Sequence, residues 1–341
     1  MQAYGFWQKN EVIFTQILEM KKKARIVFMG TPAFATASLK VLHEAGHDIA
    51  AVVTAPDKPA GRGQKMQASD VKKYALEHGI QVLQPEKLKD TGFLEKLKSL
   101  QADLFVVVAF RILPKEVWCL APLGCFNLHG SLLPQYRGAA PINHAIMNGE
   151  TLTGVTTFLI DEAIDTGKIL LRKEEPIYAH DTAGSLHDRL MQTGARLVLD
   201  TVDLLLKGNV QAVSQQELLK EGEVLKPAPK IFKETCRVHP QESAKNIHNK
   251  IRGLSPYPGA YVVMRISDTE QTEIKIFETE INPLHTGEPG TLHSDGKTYL
   301  AFNTSDKSIN IKSLQSPGKK RLPIEEWLRG NKSFSLDWRV I

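Results

Sequence analysis

Asn127 and His129 stand two residues apart in the run Cys125-Phe126-Asn127-Leu128-His129-Gly130. If this run is a β-strand, residues two apart share a face, so the carboxamide and the imidazole project together while Leu128 enters the core. A carboxamide can hold a carbonyl oxygen, and an imidazole can hold or move a proton; acyl transfer needs both. Asp165, in Asp165-Thr166-Gly167, adds a carboxylate able to accept a hydrogen bond from His129 and raise its basicity, or to organise a water. Each feature also has an ordinary structural reading. A lone histidine at a strand end is more often a satisfied core residue, and Asp-Thr-Gly is common turn chemistry. After His129 comes a loop stiffened by Pro134, Gly138 and Pro141, in which Leu132 and Leu133 offer apolar contact to a flat heterocycle and Arg137 offers charge.

The elements that must position these groups follow an α/β rhythm. Strands are expected over 24–29, 48–54, 80–83, 104–109, 125–129, 154–160 and 169–177. The β-branched run at 104–109 reads as a central strand covered on both faces. Helices are expected after Gly30-Thr31-Pro32, over 69–77 with Ser69-Asp70 as its cap, around 94–100, from Pro141 to Met147, and over 182–207. Parallel sheets of this kind take ligands at the carboxyl ends of their strands, which is where the run ending at His129 and the segment around Asp165 come together. Beyond Gly208 the pattern changes. A polar, Pro-containing stretch leads to a short helix around 244–252, then to short strands near 261–266, 274–278, 299–302 and 308–314, the spacing of a small β-barrel.

The 341 residues carry a formal net charge of +5, with 42% hydrophobic and 24% charged residues, ordinary values for a globular protein that permit a polyanionic partner without requiring one. Two domains are expected from the length. Cys119, Cys125 and Cys236 form no CxxC pair, so neither a zinc knuckle nor a disulfide framework is suggested and reduced thiols are expected. Gly30-Thr31-Pro32-Ala33-Phe34-Ala35 lacks dinucleotide-binding glycine spacing, and Ala60-Gly61-Arg62-Gly63-Gln64-Lys65 is not a Walker A loop. No apolar run is long enough to span a bilayer, and the first residues do not read as a signal peptide. A start at Met20 would make 1–19 an N-terminal extension. From the loop after the second strand into the helix at 69–77, Lys58, Arg62, Lys65, Lys72 and Lys73 stand against only Asp57 and Asp70. A basic loop of that kind suits an RNA end with phosphates and unpaired bases, or is simply a solvated surface.

The stretch NLHGSLLPQYRGAAPI followed by IDTG resembles the 10-formyltetrahydrofolate-dependent formyltransferases. So do RIVFMGTPAFA, TAPDKPAGRGQK, ADLFVVVAF and IRGLSPYPGAY, and the resemblance covers Ala24 to Val340. It implies an α/β fold: a Rossmann-like formyltransferase domain (20–208), a linker (209–233) and a small OB-like β-barrel domain (234–341). It further implies Asn127, His129 and Asp165 as catalytic residues and Ser131, Leu132, Leu133 and Pro134 as contacts to the co-substrate 10-formyltetrahydrofolate, with no metal. The PAGRG-type insertion is that of members acting on initiator methionyl-tRNA, which assigns Arg62 the main tRNA contact with Lys65 in support. The alternative acceptor is a small amine such as glycinamide ribonucleotide or an amino sugar. A cytoplasmic monomer is expected. Three positions depart from the family pattern: Arg111 follows Ala109-Phe110 one residue early, Ala163 stands where glycine is usual, and Cys236-Arg237-Val238 replaces an Asp-Trp ending.

Overall fold

The computed structural model describes residues 23–60, 65–208, 210–283 and 287–341. The extension expected over 1–19 and Arg62 lie outside the described residues. The chain divides into two compact units. The first holds residues up to Arg137, Gly154–Glu175 and Asp188–Lys226; the second holds Gly138–Thr153, Pro176–His187 and Pro227–Ile341.

In the first unit, β1 (Arg25–Gly30), β2 (Asp48–Val53), β5 (Val82–Leu83), β6 (Leu104–Val108) and β7 (Cys125–His129) run parallel in the order β5-β2-β1-β6-β7. β8 (Leu152–Leu159) adds antiparallel to β7, and β9 (Ile169–Pro176) lies beyond it. β6 is buried at all five positions, as its unbroken apolar sequence requires of a strand covered on both faces. Helices α1 (Ala33–Glu44), α2 (Asp70–Glu77) and α3 (Thr91–Ser99) connect the early strands, and the short α4 (Lys115–Trp118) precedes β7. Their ends are set by local chemistry. The Ser69 hydroxyl accepts from Lys72 N, and the Asp90 carboxylate accepts from Phe93 N, each satisfying an amide that the first helical turn leaves open. Strand order reverses between β1 and β6, so a crevice is expected beyond their carboxyl ends, one strand from the end of β7. The loop after β2 is not wholly irregular: β3 (Lys58–Ala60) and β4 (Lys65–Gln67) pair antiparallel as a hairpin.

In the second unit lie α5 (Pro141–Met147), with Pro141 at its first turn, and α7 (Ala244–Leu254), capped by Ser243; α6 (Ala183–Leu206) begins there and continues in the first unit. An antiparallel sheet is formed by β10 (Ala260–Arg265), β11 (Gln271–Asn282), β12 (Leu292–Ser294), β13 (Leu300–Asn303), β14 (Ser308–Gln315), β15 (Leu322–Pro323) and β16 (Arg339–Val340), with α8 (Ile324–Gly330) after β15. Its order is β12-β13-β14-β11-β10-β16, with β15 against β14. The two ends meet. Thr291 bridges Arg339, and Val340 N donates to Gly290 O at 3.0 Å, so the sheet curls into a nearly closed barrel. Gly290 is required there: its φ is +89°, and a Cβ would lie 2.1 Å from Val340 O. The core includes Phe302, Leu314, Trp327 and Trp338. Cys236 and Val238, at the segment that departs from the family pattern, are buried in that core, and Val238 N donates to Tyr261 O at 2.8 Å.

Candidate active site

β7 ends in the two residues whose spacing suggested chemistry. Leu128 is buried, and Asn127 is half-buried. The Asn127 carboxamide makes no hydrogen bond among the described residues, so its donors and acceptor remain open to a ligand. His129 is only 6% exposed, yet both ring nitrogens face acceptors. Nε2 lies 2.8 Å from Tyr136 O. A carbonyl oxygen only accepts, so Nε2 carries hydrogen and the ring's second nitrogen is the one that gains or loses a proton. That nitrogen, Nδ1, is 3.8 Å from Asp165 Oδ2. The separation exceeds a hydrogen bond. The carboxylate therefore faces the ring nitrogen as a charged neighbour and not as a direct hydrogen-bond partner.

Asp165 is carried by an ordered loop between β8 and β9. Thr166 Oγ1 donates to Asp161 Oδ1 at 2.8 Å, and Ala163 N donates to the same oxygen at 3.2 Å. Ala163 takes no left-handed conformation, so its side chain fits without strain. Gly167 is needed for space, because a Cβ there would fall 1.7 Å from Leu159 O. Asp165 itself has φ of +56°. Gln215 sits in the polar stretch whose sequence reads as a linker, so nothing in the sequence marks it out. It is 1% exposed and donates to Asp165 O at 2.9 Å and Gly167 O at 2.8 Å. No local pattern announces it; its partners lie about fifty positions away.

The loop after His129 is equally fixed. Thr156, opposite His129 in the β7–β8 register, donates to Ser131 O at 2.7 Å and accepts from Leu133 N at 3.1 Å. Ser131 is fully buried and donates to Gln135 O. Leu133 is fully buried against Phe158 and Ile169, and Pro134 is buried. Leu132 alone of these four keeps part of its surface open.

The basic hairpin is anchored at its foot. Lys72 Nζ donates to Asp57 Oδ2 at 2.6 Å and to Gln84 Oε1 at 2.8 Å, while Gln84 Nε2 donates to Asp57 Oδ1 at 2.8 Å. The Lys72 and Gln84 hydrogen bonds hold the Asp57 carboxyl below the usual carboxylate range. Lys65 opens β4. At the family departure after β6, Ala109 has φ of +47°, and Arg111 donates to Glu86 O at 2.8 Å and to Pro85 O.

Residues 24–202 match the model of the formyl transferase family, and residues 230–332 match that of the formyl transferase C-terminal domain. The chain belongs to the formyl transferase family. The methionyl-tRNA formyltransferase of Bacteroides fragilis is 51% identical over 311 residues, covering 91% of this chain and 96% of that protein. That of Flavobacterium johnsoniae is 48% identical over 310 residues, again covering 91% and 96%. Among solved structures, a Helicobacter canadensis N-formyltransferase superposes with a TM-score of 0.61 at 21% identity, over 84% of this chain and 98% of that one. At that identity the likeness concerns the fold. This formyl transferase therefore combines both domains of its family, with the Asn127–His129 strand end and the Asp165 loop inside residues 24–202, matched by the formyl transferase model.

Proposed function

We propose that this formyl transferase moves the formyl group of 10-formyltetrahydrofolate to the α-amino group of methionine on initiator methionyl-tRNA. The observation that carries the chemistry is the buried His129 ring, held between Tyr136 O and the Asp165 carboxylate beside the uncommitted Asn127 amide. The acceptor is inferred from the methionyl-tRNA formyltransferases that match along nearly their whole length. The donors at the strand end and the partly open Leu132 fit an amide-like formyl group on a flat heterocycle. The folate, when bound, supplies an activated formyl carbon.

This chain's residues do the rest. The amine attacks the formyl carbon, the bond from that carbon to folate nitrogen breaks, the amine loses a proton and the folate nitrogen gains one. The Asn127 amide donates to the formyl oxygen as negative charge develops there, and the protonated Nδ1 of His129 adds a second donor or passes its proton. Asp165 stabilises the protonated ring and collects the amine proton, directly or through water. Positioned donors of this sort are each worth on the order of a hundredfold or more in turnover. Ser131, Leu133 and Pro134 shape the folate site through the backbone they hold, with Leu132 in contact. Arg62 and Lys65 contact the acceptor end of the tRNA. No helix among the described residues is long and apolar enough to cross a membrane.

The test is an assay of the purified full chain with 10-formyltetrahydrofolate and methionine charged on either initiator or elongator tRNA, with glycinamide ribonucleotide as a third acceptor. Formylmethionine on the initiator tRNA is the expected product. Formylation of the small amine with none on the tRNA would replace this reading.

A further inference from the structure

Gln215 does more than fill space beneath the Asp165 loop. Its amide nitrogen is used twice, toward Asp165 O and Gly167 O. Its oxygen accepts from Arg137 Nε at 3.0 Å and from Arg137 Nη2 at 2.7 Å. Arg137 follows Tyr136, whose carbonyl accepts from His129 Nε2. A closed circuit results: His129 to Tyr136, along the chain to Arg137, to Gln215, to Asp165, and back across 3.8 Å to His129 Nδ1. Both ends of the histidine–carboxylate pair are tied to one buried carboxamide. Two residues of the circuit, Tyr136 at φ +61° and Asp165 at φ +56°, hold left-handed conformations that are uncommon for non-glycine residues.

We propose that Gln215, braced by Arg137, is a positioning pair for formyl transfer that sets the distance and angle of the Asp165 carboxylate relative to the His129 ring. The inference rests on the catalytic reading above. A carboxamide is the side chain that suits the place, because it must donate twice to carbonyl oxygens and accept twice from a guanidinium at the same time. A carboxylate keeps the shape and the Arg137 contact but presents oxygen to two carbonyl oxygens, pushing the Asp165 loop away. A guanidinium fork also sets the plane of the carboxamide in a way that a lysine ammonium, a single point charge, does not.

Gln215→Glu and Arg137→Lys, each in the full chain, test the proposal in steady-state formylation of methionyl-tRNA. Misplacement of a reacting group by about 1 Å can lower turnover on the order of a hundredfold. Gln215→Glu is expected to lower kcat tenfold to a hundredfold with KM for folate and tRNA within about twofold, and Arg137→Lys to do so less. The pH–rate profile is expected to change shape, since the carboxylate no longer sits at its place opposite His129 Nδ1. The decisive comparison is Asp165→Asn with and without Gln215→Glu. A residue acting through Asp165 adds little once that carboxylate is gone. Full additivity of the two losses, or an unchanged kcat and pH profile in folded Gln215→Glu, overturns the proposal. If Gln215→Glu fails to fold, Arg137→Lys in the same Asp165→Asn cycle decides it by the same criterion. Failure of the clamp alone leaves the wild type active and Asp165→Asn impaired, whereas failure of the underlying reading leaves the wild type inactive on methionyl-tRNA or Asp165→Asn fully active.

Discussion

His47 and His129 are both buried, at 5% and 6% exposure, at opposite ends of one parallel sheet. His47 precedes β2 at the amino ends of the strands; His129 closes β7 at the carboxyl ends. Burial is the same, and each ring has a carboxylate nearby, Asp203 Oδ1 3.9 Å from His47 Nε2 and Asp165 Oδ2 3.8 Å from His129 Nδ1, but the remaining nitrogens meet opposite partners. At His47 the backbone amide of Ala24 donates to Nδ1 at 3.2 Å, so that nitrogen must keep its lone pair. Desolvation dominates and pushes the pKa of His47 down, although Asp203 pulls the other way. At His129 the neighbours are a carbonyl and a carboxylate, two acceptors suited to a ring with two N–H groups. One ring meets a backbone donor at a buried nitrogen, the other meets only acceptors. Burial alone thus says little about what a histidine does; the donor or acceptor character of its partners says much more.

The largest effect expected from this contrast is catalytic. His129→Ala, Asn127→Ala and Asp165→Asn should each lower single-turnover formylation about a hundredfold or more, with thermal midpoints close to wild type. Asparagine is used at 165 because it tolerates the left-handed backbone there. His47→Ala should leave the rate per folded molecule intact. Rapid-quench measurement of formylmethionine resolves this, and comparable rate losses at both histidines would erase the distinction.

Much of this arrangement is legible in the sequence, and the exceptions share a cause. β7 and α5 fall where their apolar runs and Pro141 place them, because periodicity and cap chemistry are local. The pairing of His129 with Asp165 follows from the rule that strand ends gather functional groups. The hairpin β3–β4 and the closing strand β16 are two or three residues long per strand and carry no periodicity to read. Gln215 is the clearest case of hidden function. A glutamine in a polar stretch reads as solvated, and only the folded chain brings it against Asp165 O and Gly167 O.

A smaller effect is expected at the hairpin foot, where the side chains are partly exposed and the proposed partner is the tRNA rather than the reacting atoms. Lys72→Met removes the cation that joins Asp57 and Gln84. Partly exposed ion pairs contribute little on their own, so KM for methionyl-tRNA should rise on the order of fivefold at most, with kcat unchanged. Raising salt should weaken tRNA binding in both proteins as phosphate contacts are screened. Loss of kcat instead of KM in Lys72→Met would tie this foot to the chemistry and blur the division between the two regions.

The smallest effect concerns the pH dependence of stability, and His47 carries its sign. Its folded pKa lies below the ordinary 6.5 because burial disfavours the charged ring. Above 6.5 the ring is neutral in both folded and unfolded chains, and its contribution is fully present. As pH falls from 6.5 toward the depressed folded value, the unfolded chain binds more protons, so stability is lost, by at most about 1.4 kcal/mol per pH unit for one group. His47→Leu strands the Ala24 amide and should lower stability by about 1–3 kcal/mol at pH 8. Between pH 6.5 and 5 its thermal midpoint should nevertheless fall less steeply than that of the wild type, because leucine has no proton to take up. Parallel curves for the two proteins across that window would mean that His47 does not resist protonation, and the donor at Nδ1 would no longer explain why the two buried rings differ.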